Sequence, residues 1–503
     1  MAIPAEAFVL SPGATGTLQQ QIQEMVAGGI LRGRFRPGEK LPSSRGLARH
    51  LGVSRITVTL AFTELVANDY LTARGRSGYY VSDSAPRHPG FEFDTAPAGD
   101  SVDWERVTGA RFSSHDLPPK PRDWHAFRYP FIYGQADATL FDHQNWRQCA
   151  LRALGRRDFG VLTDDFYEDD DPMLVEYIAR TILPRRGIAA GTGEVLLTMG
   201  AQNALWIAAA VLLGPGRAAA VENPCYPGLR MILGQQGAEV RPVDVDAEGL
   251  PPDAVPRGVA AVFTTASHQC PTNATMPMDR RVALLDRAGR DDFLIVEDDY
   301  EFEMSFLKPA APALKSLDRE GRVIHIGSFS KSLFPGLRLG YLVAPAGFIR
   351  EARALRAAML RHPPGHLQRT VAYFLALGHY DALINRLNAA YKRRRTVMDE
   401  AIRSEGLEIA GQGGFGGSSF WMRARGVDTA ALARRLRERG LLIEPGGSFF
   451  APGTAPGDTY RLAYSSIAQN RIAEGVALIA EELRKAGITG PGGLALQAHR
   501  AGP

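Results

Sequence analysis

The sequence predicts two folding units. One is a small helical module closed by a β-hairpin. The other is a large α/β body, a mainly parallel sheet with helices on both faces and a smaller α/β portion at its C-terminal end. Three observations predict this. The chain has 503 residues, more than one hydrophobic core usually serves. Helical apolar spacing with short turns fills residues 18–67, whereas from about residue 130 short apolar runs alternate with amphipathic stretches. The charge is also segregated: Lys+Arg 58 against Asp+Glu 54 leaves +4, and residues 1–82 alone hold nine basic and five acidic side chains, so the whole excess lies there. A basic head on a neutral body points to a polyanion partner for the head.

Composition narrows the class. Apolar residues at 45% and charged residues at 22% rule out a largely disordered chain. The longest uninterrupted apolar run, 204–213, is about half a membrane span, so no membrane partner is expected. Cys149, Cys225 and Cys270 are odd in number and far apart, which offers neither a disulfide framework nor a zinc site. With no basic-then-apolar leader at the N-terminus, a cytoplasmic location is expected.

In the head, Leu18, Ile22, Met25 and Val26 recur at helical spacing. Pro42 and Ser43 start a second helix that buries Leu47 and Leu51, and Gly52-Val53 makes a tight turn. Ser54 caps a third helix with the stripe Val58, Phe62 and Leu65; two helices joined by a short glycine turn form a helix-turn-helix. Residues 71–81 read as strand, turn, strand, a hairpin wing. In such a unit the N-terminal residues of the second helix meet base edges, here Ser54, Arg55, Thr57 and Thr59. Arg55 suits bidentate contact with guanine or phosphate; Arg45 can grip the backbone, and Arg74 and Arg76 at the wing tip can enter a minor groove. A single such arginine is as readily a solvated surface residue; four on the three elements that face DNA together are not.

These residues carry a resemblance. Pro37-Gly38, Leu41-Pro42-Ser43-Ser44-Arg45, Leu51-Gly52-Val53-Ser54-Arg55, Thr57-Val58 and Gly78-Tyr79-Tyr80-Val81 closely resemble the GntR-type winged helix-turn-helix, which implies double-stranded operator DNA as partner. Some members carry an arginine where Thr59 stands, so that contact does not transfer.

The module is expected over 11–82, a connector rich in Pro, Gly, Asp and Ser over 83–129, the body over 130–485, and an unstructured tail over 486–503. Strands are expected at 195–198, 218–221, 259–264, 293–296, 323–326 and 340–343. The chemistry clusters at their ends. Lys331 follows a strand and two serines, Ser328 and Ser330, as an amine that condenses with a pyridoxal aldehyde requires; the serines and Arg338 suit a 5′-phosphate. A lysine after two serines is by itself usually a surface residue. Asp298 and Tyr300 end a second strand, where a carboxylate keeps a pyridine nitrogen protonated and a phenol tunes the ring hydroxyl; alone, such acids suggest a divalent cation or a helix cap. Gly200, Ala201 and Gln202 open a helix as a phosphate seat, and Tyr226 is placed to stack on a ring or to pack in the core. Arg461 is placed to receive a carboxylate, or to be half of an ion pair.

Across roughly residues 130–483 these segments resemble fold-type I aminotransferases, and above all the MocR subfamily of GntR regulators, in which such a domain follows a winged helix. The resemblance implies pyridoxal 5′-phosphate (PLP) as cofactor, a Schiff base on Lys331, Asp298 at the pyridine nitrogen, Tyr300 at the ring hydroxyl, Tyr226 stacked, Arg461 on an effector carboxylate, and a homodimer. Aminotransferases usually carry Asn-Pro-Thr-Gly where this chain has Cys270-Pro271-Thr272-Asn273, which weighs against efficient transamination. The expected function is thus a regulator that senses an amino compound through its PLP imine and controls a nitrogen-compound operon, amino acid, taurine- or ectoine-like. The alternative is an active aminotransferase with an accessory DNA-binding domain.

Overall fold

The computed structural model describes residues 2–10, 16–86, 102–109, 120–163 and 168–485. The chain divides into two compact units, 1–109 and 110–503.

The first unit is built by local capping. Thr17 and Gln20 close a reciprocal cap at the start of α1 (Leu18–Leu31). Ile22, Val26 and Ile30 turn inward, while Leu18, expected on that stripe, is exposed. Ser43 Oγ accepts from the Gly46 N–H at 3.0 Å and starts α2 (Ser44–Leu51). Gly52 follows at φ 67°, a left-handed turn that a side chain would strain. Next comes α3 (Arg55–Ala67), burying Val58, Ala61, Phe62 and Leu65. The wing is β1 (Leu71–Ala73) antiparallel to β2 (Tyr79–Val81), with Leu71 opposite Val81. The core also takes in Ile3 and Phe8 from before residue 11 and Ala85 from beyond residue 82, so the unit is wider than the expected 11–82. The Ile3 N–H donates to the Lys40 carbonyl oxygen at 2.8 Å, which anchors that leading segment.

The body opens earlier than residue 130. Lys120 Nζ donates to the Tyr133 carbonyl oxygen at 2.5 Å, and β3 (Tyr129–Pro130) pairs in parallel with residues 441–442. The connector expected over 83–129 therefore gives way to packed structure by Lys120. It also contains a short helix, Trp104–Thr108, capped by Asp103. Most of that connector and the tail expected over 486–503 lie outside the described residues.

The large sheet uses β4 (Val195–Thr198), β5 (Ala218–Asn223), β6 (Glu239–Asp244), β7 (Val259–Thr264), β8 (Leu294–Asp298), β9 (Val323–Ser328) and β10 (Gly340–Val343), in the order β4-β10-β9-β8-β7-β5-β6. It is parallel from β9 to β6, and β10 runs antiparallel to both β9 and β4. The six expected strands are present. β6 was missed because an edge strand carrying Glu239, Arg241 and Pro242 has no apolar run to read. Alternate residues feed two cores, as the pleat demands: Val195 and Leu197 join one, Leu196 the other. A smaller antiparallel sheet follows, from β11 (Glu408–Ile409), β12 (Ser419–Arg423), β14 (Glu444–Pro445) and β15 (Thr459–Ala463), β13 (Leu441–Leu442) being the partner of β3. Among the described residues no helix is long and apolar enough to cross a membrane.

Candidate functional site

On the first unit, the structure separates residues that build α3 from residues available to a ligand. Ser54 Oγ accepts from the Thr57 N–H at 3.0 Å and lies 2.7 Å from Thr57 Oγ1, so both hydroxyls serve the helix cap. Thr59 Oγ1 donates back to the Arg55 carbonyl oxygen at 2.9 Å. Arg45, Arg55 and Arg74 are exposed, and the Arg74 guanidinium lies 4.6 Å from the Tyr80 ring centroid in the wing. The Arg76 side chain lies outside the description. Ile56 and Leu60, 72% and 51% exposed, stand four apart on α3 and put apolar surface beside Arg55; attention to the buried stripe passed over them.

In the body, a cavity of about 350 Å³ opens at the C-terminal ends of the parallel strands, where ligands of open α/β sheets bind. Ala201, Gln202, Tyr226, Asp298, Tyr300, Ser328, Ser330, Lys331, Arg338 and Arg461 all line it. Gly200 lies just behind: a Cβ there would stand 3.6 Å from the Arg338 guanidinium and from Ser330 Oγ. With φ 82° it turns the chain into the helix Ala201–Leu212, which starts without a side-chain cap. Uncapped helix N–H groups, two serine hydroxyls and Arg338 make an anion seat, and buried Ser330 Oγ has no partner in it.

Lys331 follows β9 directly. Its amine lies 4.3 Å from the Tyr133 ring centroid, and burial together with nearby Lys120 pushes its pKa down to about 8. Asp298 ends β8 with Oδ1 buried and unpartnered; burial, with Asp299 adding repulsion, pushes its pKa up to about 7. That carboxyl waits for a cation, as the edge of a protonated pyridine would supply. Tyr300 donates its hydroxyl to the His268 carbonyl oxygen at 3.0 Å, and burial raises its pKa well above the usual value. The Tyr226 hydroxyl reaches Gln202 Oε1 at 3.4 Å.

The Cys270–Asn273 loop is braced from beneath. Gln269 Nε2 donates to Glu222 Oε2 at 3.1 Å and to the Pro224 carbonyl oxygen at 2.7 Å, and Gln269 Oε1 accepts from the Thr272 hydroxyl at 2.7 Å. Asn273 takes φ 60°, a left-handed geometry that asparagine tolerates where glycine is usual, and its Nδ2 donates to the Ser419 carbonyl oxygen at 2.8 Å. Cys270 lines the cavity as a neutral thiol, its pKa pushed up to about 12 by burial.

Arg461, on β15, is engaged. Its Nε donates to Glu444 Oε2 at 2.8 Å, and its Cζ lies 4.0 Å from the Tyr133 ring centroid and 4.7 Å from that of Phe449. Sequence reading placed Arg461 but missed Lys120, Tyr133, Glu444 and Phe449, which line the same cavity. Only the register opposing Glu444 to Arg461 across β14 and β15 identifies the pair.

Similarity to known proteins follows this division. The pattern of bacterial regulatory proteins of the gntR family matches residues 18–81, and that of aminotransferase class I and II matches residues 165–477. The chain is 63% identical to the HTH-type transcriptional regulator TauR of Rhodobacter capsulatus, covering 96% of this chain and 100% of that one. It is 30% identical to the probable rhizopine catabolism regulatory protein MocR of Rhizobium meliloti, covering 78% of each. The crystal structure of LysN, an α-aminoadipate aminotransferase from Thermus thermophilus complexed with N-(5′-phosphopyridoxyl)-L-leucine, matches with TM-score 0.69 and 27% identity, over 77% of this chain and 100% of that one.

Proposed function

Since the chain belongs to the MocR subfamily of GntR-type transcriptional regulators, a DNA-binding head fused to an aminotransferase class I and II domain, we propose that it binds operator DNA and senses a small amino compound of the taurine kind in its aminotransferase-like cavity. One observation supports this reading: residues of five separated segments line one cavity with Lys331, in a chain whose other unit holds a helix-turn-helix.

PLP, when bound, supplies an aldehyde that takes up amines and an electron-withdrawing ring. The chain's residues prepare for it. Gly200, Ala201, Ser328, Ser330 and Arg338 would hold the phosphate, Asp298 the ring nitrogen, and Tyr226 the ring face. Burial gives Lys331 far more free amine near neutral pH than an ordinary lysine has, and the free amine is the form that attacks a carbonyl. Arg461, in competition with its counter-ion Glu444, offers a place for the acid group of an incoming amine. Cys270 is a weak donor and supplies little of the hydrogen bonding that asparagine gives in aminotransferases, which favours sensing over turnover. The amino compound must bind two arrangements of the protein with different affinity for DNA to respond. A homodimer in the cytoplasm, reading paired half-sites, completes the reading, and exposed Leu151, Leu154 and Phe159 on the body offer apolar surface for a second copy.

The test is operator binding by the PLP-loaded chain with and without taurine. Lys331→Ala should abolish the visible absorption of bound PLP and the response to taurine, yet leave basal DNA affinity within about three-fold. A response that survives the substitution refutes sensing at Lys331. Arg55→Ala should weaken operator binding ten- to a hundred-fold, about 1–3 kcal/mol, and unchanged affinity at moderate salt would remove Arg55 from the groove. Transaminase turnover at about 1–1000 per second would establish the enzyme reading instead.

A further inference from the structure

The cavity holds more cationic charge than PLP uses. On the regulator reading, Arg338 and the serines meet the phosphate, Asp298 meets the ring nitrogen, and the Lys331 amine is taken up by the aldehyde. Arg461, Lys120 and one carboxylate, Glu444, are left over. Arg461 is already paired with Glu444, by a hydrogen bond of 2.8 Å. The Lys120 ammonium donates instead to a neutral acceptor, the Tyr133 carbonyl oxygen, at 2.5 Å. Lys120 is an exposed residue, yet its amine reaches into the cavity, and desolvation there lowers its pKa. Lys120 is thus a cation whose hydrogen-bond acceptor carries no charge, and it sits beside the reactive lysine.

The spacing is short. A Cβ added at Gly134 would lie 2.4 Å from Lys331 Nζ and 3.5 Å from Lys120 Nζ, so the two amines are within about 6 Å, where like charges repel unless an anion comes between them. The Tyr133 ring is shared by the reactive amine and the guanidinium, with Lys331 Nζ at 4.3 Å and Arg461 Cζ at 4.0 Å from its centroid. A ligand whose amine takes the place of that of Lys331 reaches the Lys120 ammonium with a chain of two or three carbons, a span of about 5 Å, and a much longer chain would run past it.

With the regulator reading as premise, we propose that Lys120 is a specificity-determining residue of the effector site. Together with Arg461 it receives the single acid group, sulfonate or carboxylate, of a short ω-amino acid.

The experiment uses the full-length, PLP-loaded chain as wild type, Lys120→Gln and Lys120→Arg. Affinities for taurine, β-alanine and propylamine are measured by calorimetry, alongside operator binding. Lys120→Gln is expected to weaken both acid amines about ten-fold, to change propylamine affinity far less, to leave PLP bound, and to blunt the operator response. Lys120→Arg restores most of the loss, and the tighter of taurine and β-alanine in wild type identifies the preferred acid. Equal affinity of wild type and Lys120→Gln for the acid amines overturns the proposal, as does an equal loss for propylamine, which would make Lys120 merely structural. If wild type binds no amine, the regulator reading fails with it; that failure shows in the unmodified chain rather than in the variant.

Discussion

The two halves of the body cavity are built in opposite ways. The cofactor half draws on residues at strand ends, in short runs: Ser328, Ser330, Lys331 and Arg338 within one stretch, Asp298 and Tyr300 in another. Several of its polar atoms are buried without partners, among them Ser330 Oγ and Asp298 Oδ1. The effector half collects Lys120, Tyr133, Glu444 and Arg461 from distant parts of the chain, and its main cation, Arg461, already has an internal counter-ion in Glu444. Buried polar atoms without a protein partner suit an occupant held by many hydrogen bonds. An internal ion pair suits an occupant that must compete with it, as a reversible signal does.

The largest effect should come from the cofactor half. Asp298→Asn removes the counter-ion of the ring nitrogen and is expected to weaken PLP binding by about a hundred-fold or more, read by absorption titration. The same change should stabilise the PLP-free protein. The folded pKa of Asp298, about 7, lies above its ordinary 3.8, so the folded chain binds the extra proton and this stabilisation is lost as pH rises from about 4 to about 7. The asparagine variant lacks that loss. Its melting temperature should match wild type near pH 4 and exceed it near pH 8, the gap corresponding to up to about 4 kcal/mol. A gap that narrows with rising pH would break the contrast between the halves.

In the effector half, Glu444→Gln keeps a hydrogen-bond acceptor for Arg461 but removes its charge. Acid amines should then bind about three- to ten-fold tighter by calorimetry, while the chain loses stability because a buried guanidinium is left without its counter-charge. Weaker binding of acid amines would show that Glu444 assists the effector rather than competing with it. The smallest effect is expected at Ser330→Ala. Loss of one hydroxyl should reduce PLP affinity about five-fold, near 1 kcal/mol, and leave the melting temperature of the PLP-free protein unchanged, since that hydroxyl has no partner to lose.

The same division governs what the sequence makes legible. Caps and strand ends are local: Ser43, Gly52 and Ser54 set α2 and α3, and the runs 323–326 and 340–343 lie in β9 and β10, with Lys331 and Arg338 in the segment between them. Asn273, where glycine is usual, itself occupies the left-handed position of its loop. Ile3 and Phe8 escaped notice because a short segment without periodicity packs through distant partners, among them Phe35, Lys40 and His50. Glu444 and Tyr133 escaped for the same reason on a larger scale. Glu444 is an acid on a two-residue strand whose meaning comes only from the register opposite Arg461. Tyr133 matters through the cations beside its ring, Lys331 and Arg461, each far off in sequence. Lys120 looked like part of a connector because nothing in its neighbourhood repeats, although its amine is bonded into the body.

The most direct measurement is chemical. The PLP-loaded chain is treated with borohydride, which fixes the cofactor irreversibly to the amine that holds it, then digested and mapped by mass spectrometry. The pyridoxyl group is expected on Lys331 alone, with Lys120, at most about 6 Å away, unmodified. A label on Lys120, or no label on a chain shown to be folded and saturated with PLP, would contradict the account.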